Sequence, residues 1–188
     1  MNLVGTTLGQ FQVVEELGRG GMATVYLAED LKHHRKVAIK VMKEGPFAGA
    51  ADKARFDREV QVLGQLNHPN TTKVFMYGEL PEDGSLYIVM EMLKGGTVSK
   101  YISNLRPESD VNAVPLERAR AAVAIGTQIC AALEGLHSIN LIHRDLKPGN
   151  IIVGDDGRVR VLDFGLAKAL GRTMLTRIDS TLGTFSYM

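Results

Sequence analysis

The most chemically loaded stretch of this sequence is His143-Arg144-Asp145-Leu146-Lys147-Pro148-Gly149-Asn150. Asp145 is a candidate acceptor for a hydroxyl proton. Lys147 is a candidate for steadying a phosphoryl group in transfer, and Asn150 offers a carbonyl oxygen to a hard cation. Further along, Asp163-Phe164-Gly165 follows the apolar residues 159–162. A carboxylate at a strand end, followed by glycine, suits a Mg2+ ligand; taken alone, Asp163 fits an ordinary turn aspartate better.

A second group of candidates lies near the start. Gly18, Gly20 and Ala23 occupy a G-x-G-x-x-G pattern within residues 17–25. Glycine lets a backbone approach phosphates with no Cβ in the way. A dinucleotide fingerprint would need a helix next, but residues 24–27 are strand-like, and no G-x-x-x-x-G-K-[ST] occurs. A glycine-rich hairpin over a nucleotide and a plain tight turn both remain, and taken alone the motif fits the tight turn better. Lys40 ends the apolar run Val37-Ala38-Ile39-Lys40. It must snorkel out or meet an anion, because burial of an unpaired ammonium is costly. Glu59 lies among Phe56, Val60 and Leu63 and is a candidate ionic partner. Taken singly, the two are better read as a strand-end lysine and a solvated glutamate.

Positioning these groups needs a strand-rich first part and a helix-rich second. Residues 11–17, 24–28 and 37–42 are expected strands, with 29–36, including the basic run Lys32 to Lys36, as a solvated hairpin turn. Residues 52–66 have helical spacing at Phe56, Val60, Leu63 and Leu66, with Asp52 as a candidate cap and Asn67-His68-Pro69 as the stop. Strands are expected again at 72–76 and 86–90, around a turn at 81–85. Gly95-Gly96 marks a boundary. Residues 116–137 form a long helix striped by Ile125, Ile129, Leu133 and Leu136, and short strands return at 151–153 and 159–162. The expected class is α+β with two lobes.

Bulk properties exclude several alternatives. The 188 residues are 45% hydrophobic and 23% charged, so global disorder is a poor reading. A net charge of +1 gives no reason to expect nucleic acid or an anionic membrane as partner. Cys130 is the single cysteine, so no intramolecular disulfide forms. Residues 1–10 lack the features of a signal peptide. The uncharged residues 121–133 are too short to span a bilayer and suit a buried helix.

In combination and in this order, the glycine-rich turn, strand lysine, helix glutamate, His-Arg-Asp segment and Asp-Phe-Gly segment closely resemble the eukaryotic-like serine/threonine protein kinases, especially their bacterial members. The resemblance runs from Phe11 to Met188. It implies a bilobal protein-kinase-like fold: residues 1–10 as an N-terminal extension, 11–93 as the complete strand-rich N-lobe and hinge, and 94–188 as a partial helical C-lobe. It implies ATP and Mg2+ as cofactors, with Mn2+ as an alternative cation. By resemblance, Gly18, Gly20 and Val25 cover the phosphates, and Lys40 holds them while pairing with Glu59. Leu17, Val25, Ala38 and Ile152 wall the base, Met90 is the gatekeeper, and Glu91 to Leu93 form the hinge. Asp145 is the catalytic base, Lys147 contacts phosphate, and Asn150 and Asp163 hold the metal. Leu63, Val74, His143 and Phe164 form an apolar spine.

Lys147 within Asp-Leu-Lys-Pro-Gly-Asn, and Gly183 to Met188, resemble the Ser/Thr class. The implied partners are therefore proteins bearing Ser or Thr, with self-association for trans-autophosphorylation. Arg144 beside Asp145 implies regulation by phosphorylation, with Thr173, Thr176, Ser180 and Thr181 as candidate acceptors. Ala23 replaces the third glycine, and Thr97 stands where relatives carry a ribose-contacting residue. Met188 falls where the Ala-Pro-Glu motif would follow, so the resemblance implies a catalytic domain lacking its later helices, with exposed apolar surface and poor transfer by the isolated chain. A cytoplasmic segment without membrane contact is expected, with room for a membrane anchor further on. Two rivals are a nucleotide-binding pseudokinase or scaffold, which the filled key positions oppose, and a small-molecule phosphotransferase of related fold.

Overall fold

Alternating β-branched and aromatic residues build the first sheet, whose pleat sends successive side chains to opposite faces. Its strands are β1 (Thr7–Leu8), β2 (Phe11–Arg19), β3 (Ala23–Asp30), β4 (Arg35–Met42), β5 (Val74–Glu79) and β6 (Leu86–Glu91). All pairs are antiparallel, in the order β1-β2-β3-β4-β6-β5. The computed structural model describes residues 2–43, 50–104 and 116–164. Among these, residues 2–43, 50–65 and 73–92 form one unit, and 66–72 and 93–164 form a second.

One face of the six-stranded sheet is apolar. Phe11, Val13, Tyr26, Ala28, Val37, Ile39 and Val89 are buried there together with Leu3, Leu8 and Leu80. Burying each large side chain contributes roughly 1.5–3 kcal/mol. Leu3 and Leu8 belong to this core, and β1 pairs with the start of β2. The segment before Phe11 is therefore part of the sheet rather than an extension from it.

The other face carries α1 (Ala50–Gln65), which buries Phe56, Val60 and Leu63 at the expected spacing. The Phe56 ring meets Tyr77 edge-on, with centroids 6.1 Å apart. Asp52 lies inside the first turn of the helix instead of capping it, because the helix begins at Ala50. The strand expected over 72–76 starts only at Val74. Thr72 is drawn off: its N–H and hydroxyl both donate to the Val161 carbonyl.

The β3–β4 turn is anchored on Asp30, which is fully buried. Its carboxylate accepts hydrogen bonds from Gln10 Nε2 (2.7 Å), Arg35 Nε (3.1 Å) and the His33 N–H (3.2 Å), and it contacts His33 Nδ1 at 2.8 Å. Burial opposes the charge, but the hydrogen bonds from His33, Arg35 and Gln10 outweigh it and lower the pKa from 3.8 to about 2. The Arg35 guanidinium also lies 3.6 Å over the Phe75 ring.

The second unit contains β7 (Gly96–Thr97), α2 (Val98–Asn104), α3 (Leu116–Ser138), a 3-10 turn (Pro148–Asn150), β8 (Ile151–Val153) and β9 (Val159–Val161). Its core joins Val98, Ile125, Ile151, Val153 and Val159, with Ile129 and Leu146 against them. Helix α2 has no counterpart among the expected elements. Thr97 caps it, its hydroxyl accepting the Lys100 N–H three residues on. Helix α3 is one-faced rather than wholly buried: Leu136 and Ala132 are inaccessible, whereas Val123 is 69% exposed. Gly95 has φ +129, and a Cβ there would fall 2.2 Å from the Val153 carbonyl oxygen, so only glycine fits. No helix among the described residues is long and apolar enough to cross a membrane. The architecture is α+β.

Candidate active site

The first unit gathers one set of candidates on a single sheet face. Directly opposed cross-strand residues share a face. Lys40 on β4 is opposite Val25 on β3 and Ile88 on β6, while Ala38 is opposite Met90. The alternate β4 residues, Val37 and Ile39, point the other way, into the apolar core. Tyr77 is opposite Ile88 and receives Phe56, so α1 lies on the same face as Lys40. Glu59 is three residues beyond Phe56 on that helix and is half-buried. Val25, Ala38, Lys40 and Met90 thus share one surface, with the helix carrying Glu59 packed on it.

The glycine-rich turn joins β2 to β3. Gly18 is opposite Val25, and the Gly20 N–H donates to the Ala23 carbonyl at 2.8 Å. Lys43 braces it: its N–H donates to the Met22 carbonyl and its ammonium to that of Gly20. Arg19 pairs with Glu16, which lowers the Glu16 pKa and raises that of Arg19. Leu17 is 43% exposed. Glu91 ends β6, and its carboxylate accepts the Lys73 N–H at 2.8 Å while its own N–H donates to the Lys73 carbonyl. Leu93 follows, in the second unit.

The second unit holds the other set in a closely bonded loop. Asp145 Oδ2 is 2.8 Å from the Lys147 ammonium and accepts Asn150 Nδ2 at 3.0 Å. Asn150 Nδ2 also donates to the Asp145 carbonyl at 2.8 Å. The Pro148–Asn150 turn makes this possible, since proline suits its first position and the Asn150 N–H closes back on the Lys147 carbonyl. Asn150 is buried, and its amide nitrogen makes both of these bonds, leaving its side-chain oxygen as the atom chemically suited to a hard cation. Ile152 lies on the opposite face of β8 from the buried Ile151 and Val153.

Asp163 is tied to this loop through its neighbours. The Leu162 N–H donates to the Asn150 main-chain carbonyl at 2.8 Å, and the Leu162 carbonyl is 2.7 Å from His143 Nε2. His143 is buried, with its ring centroid 5.7 Å from that of Phe164. Burial lowers its pKa, against the opposing effects of the Leu162 carbonyl and the Asp145 and Asp163 charges. The neutral ring fits its partners: Nε2–H donates to Leu162, and Nδ1 accepts the Asp145 N–H at 3.3 Å. Arg144 and Asp163 both adopt left-handed backbone, with φ 61 and 53. Such conformations in non-glycine residues concentrate at functional sites.

The structure therefore brings Asp145, Lys147 and Asn150 into direct contact and links them by backbone to Leu162, next to Asp163. Leu63 and Val74 are buried in the first unit. Thr173, Thr176, Ser180 and Thr181 lie outside the described residues, as does Gly165. Sequence reasoning missed the brace from Lys43 and the paired amides of Asn70 and Gln128. Gln128 carried a faint signal, as a polar interruption of an uncharged stretch.

The protein kinase domain family matches residues 11–188. Among curated relatives, the chain is 38% identical to the serine/threonine-protein kinase PrkC of Bacillus subtilis, over 99% of this chain and 27% of that protein. It is 40% identical to the DNA damage-responsive serine/threonine-protein kinase RqkA of Deinococcus radiodurans, over 98% of this chain and 26% of the relative. The crystal structure of the Mycobacterium tuberculosis PknI kinase domain matches with a TM-score of 0.72 and 29% identity, covering 88% of this chain and 64% of the other. The chain thus spans about a quarter of the length of these curated relatives. The match across residues 11–188 shows that the chain belongs to the protein kinase domain family.

Proposed function

We propose that this chain is the catalytic part of a serine/threonine protein kinase that moves the γ-phosphoryl group of MgATP to a protein hydroxyl. The observation that carries this reading is the bonded cluster of Asp145, Lys147 and Asn150. Asp145 takes the hydroxyl proton, and Lys147, beside it, neutralises charge on the phosphoryl group. Asn150, by holding the Asp145 carboxylate and carbonyl, fixes the base in place. Phosphoryl transfer passes through a loose transition state, so such positioning and charge neutralisation are what a protein must supply.

The donor set fits Mg2+. Asn150 and Asp163 offer an amide carbonyl and a carboxylate, the hard oxygen ligands that Mg2+ takes alongside nucleotide phosphates, and Mn2+ accepts the same class. The bound ion supplies charge neutralisation for the phosphates. Lys40, paired with Glu59, holds the phosphates of the same nucleotide, with Gly18 and Gly20 above them. Leu17, Val25, Ala38, Met90, Ile152 and the backbone of Glu91 and Leu93 receive the base. Residues 11–93 act as the nucleotide-holding lobe and 94–188 as the lobe of catalytic loop and activation segment. Substrates are proteins presenting Ser or Thr. Trans-autophosphorylation on Thr173, Thr176, Ser180 or Thr181, read by Arg144, is the proposed control.

The test is Asp145→Asn in the complete native protein. ATP affinity should stay within about threefold, while transfer to a Ser/Thr peptide falls by about 10³-fold or more. Undiminished turnover would remove Asp145 as the base. Wild-type protein that binds ATP in a Mg2+-dependent way without any transfer would favour the pseudokinase reading.

A further inference from the structure

Strand β9, paired with β8 along one edge, is met along the other by side-chain amides from two distant segments. Asn70 follows α1 in a stretch without regular structure, yet it is only 8% exposed, and Thr71 and Thr72 are 3% exposed. Buried polar groups need partners, and those of Asn70 and Thr72 are found along one edge of β9. Asn70 Nδ2 donates to the Val159 carbonyl at 2.9 Å and to Gln128 Oε1 at 2.9 Å. Gln128, on α3, uses the same Oε1 to accept the Val159 N–H at 2.9 Å. The two amides thus serve both backbone groups of Val159, as a neighbouring strand would. Two residues on, main chain takes over. The Val161 N–H donates to the Asn70 carbonyl at 2.9 Å, and the Val161 carbonyl accepts from the Thr72 N–H and hydroxyl.

The register fixed at Val159 and Val161 passes directly to Leu162. That residue spends its N–H on the Asn150 carbonyl and its carbonyl on His143, and Asp163 comes next. A shift of one residue in β9 would turn each side chain to the opposite face. We infer that the Asn70–Gln128 amide pair is a positioning device for the metal site, setting the register of β9 so that Asp163 meets the cation. Neither residue is among the groups proposed to hold the nucleotide or the metal. The inference rests on the reading of Asp163 as a metal ligand.

Groups that orient a metal ligand typically change metal affinity or activity by about 10–100-fold when removed. Gln128→Leu leaves two donors, Asn70 Nδ2 and the Val159 N–H, without this acceptor. In the complete native protein, this variant should raise the Mg2+ concentration needed for half-maximal transfer by about 10-fold. Its affinity for adenosine, which has no phosphates, should stay within about twofold, since the change acts only through the metal site. Gln128→Glu keeps both acceptor positions and should recover most of the Mg2+ response. Should Gln128→Leu fail to fold by circular dichroism, Asn70→Asp, which replaces the Nδ2 donors with a carboxylate oxygen facing two acceptors, is measured the same way. Asp163→Asn runs in parallel. If Asp163→Asn abolishes the Mg2+ response while the folded Gln128 or Asn70 variant keeps the wild-type one, the positioning inference is overturned and the metal reading stands. If Asp163→Asn itself leaves the Mg2+ response intact, the metal reading fails and takes the inference with it.

Discussion

The glycine-rich turn between β2 and β3 and the loop from His143 to Asn150 are comparably rich in candidate chemistry, yet they are held in opposite ways. The turn is exposed, and a Cβ added at Gly18 or Gly21 would meet nothing within 4 Å. Beyond the β2–β3 ladder at its base, one backbone bond across the tip and Lys43 hold it. The loop is pinned by a buried histidine, a buried asparagine and backbone bonds to Leu162. The difference matches the tasks proposed for them. A segment that covers a nucleotide must admit and release it, and few buried contacts make opening inexpensive. A base and its metal ligands must be held within fractions of an ångström.

The contrast can be broken most forcefully at Asn150. Asn150→Ala removes the two bonds to Asp145 and one proposed metal ligand together, and transfer should fall by about 10³-fold in a peptide phosphorylation assay. A loss below about tenfold would mean that the tight bonding of this loop has little to do with transfer. Next in size is a pair of glycines. Gly95→Ala forces a Cβ into the Val153 carbonyl at a positive φ, and should destabilise by about 2–4 kcal/mol in denaturant unfolding. Gly21→Ala has open space and should change stability by less than about 0.5 kcal/mol. Equal effects would erase the distinction between packed and open glycine positions.

A smaller effect sharpens the comparison inside the first unit, where the β3–β4 turn is as firmly bonded as the glycine turn is open. Asp30 has a folded pKa of about 2, below its ordinary 3.8. Its contribution is therefore fully present above the ordinary value and lost as pH falls through the folded one. The unfolding midpoint should drop across that acid window in the wild type, and Asp30→Asn should flatten the drop. An identical acid limb in both proteins would show that Asp30 is not the group responsible. Smallest of all, Arg19→Ala should change the KM for ATP by less than about twofold, because its partner Glu16 is on the surface.

Local pattern made much of this legible. The 3.6-residue spacing of Phe56, Val60 and Leu63 located α1, and the short β-branched runs located β3, β4, β6 and β8 within a few residues. What escaped was held by contacts with no period in the sequence. Thr72 was expected in a strand but bonds Val161, 89 residues away. Asn70 and Gln128, 58 residues apart, are ordinary polar residues until the fold brings their amides to one edge. Leu3 and Leu8 precede the recognisable pattern, and only the sheet shows them to be core. At the site, Asp145, Lys147 and Asn150 were legible because their contacts lie within a single short loop. The shared sheet face of Val25, Ala38, Lys40 and Met90 needed the strand register.

The central proposal is that Lys40 and Asp163 act on the phosphates and metal of one and the same nucleotide. Calorimetric titration of the wild type, Lys40→Met and Asp163→Asn with MgATP and with adenosine tests it directly. Both variants should lose affinity for MgATP by about 10-fold or more while binding adenosine as the wild type does. Wild-type MgATP affinity in either variant would contradict the account.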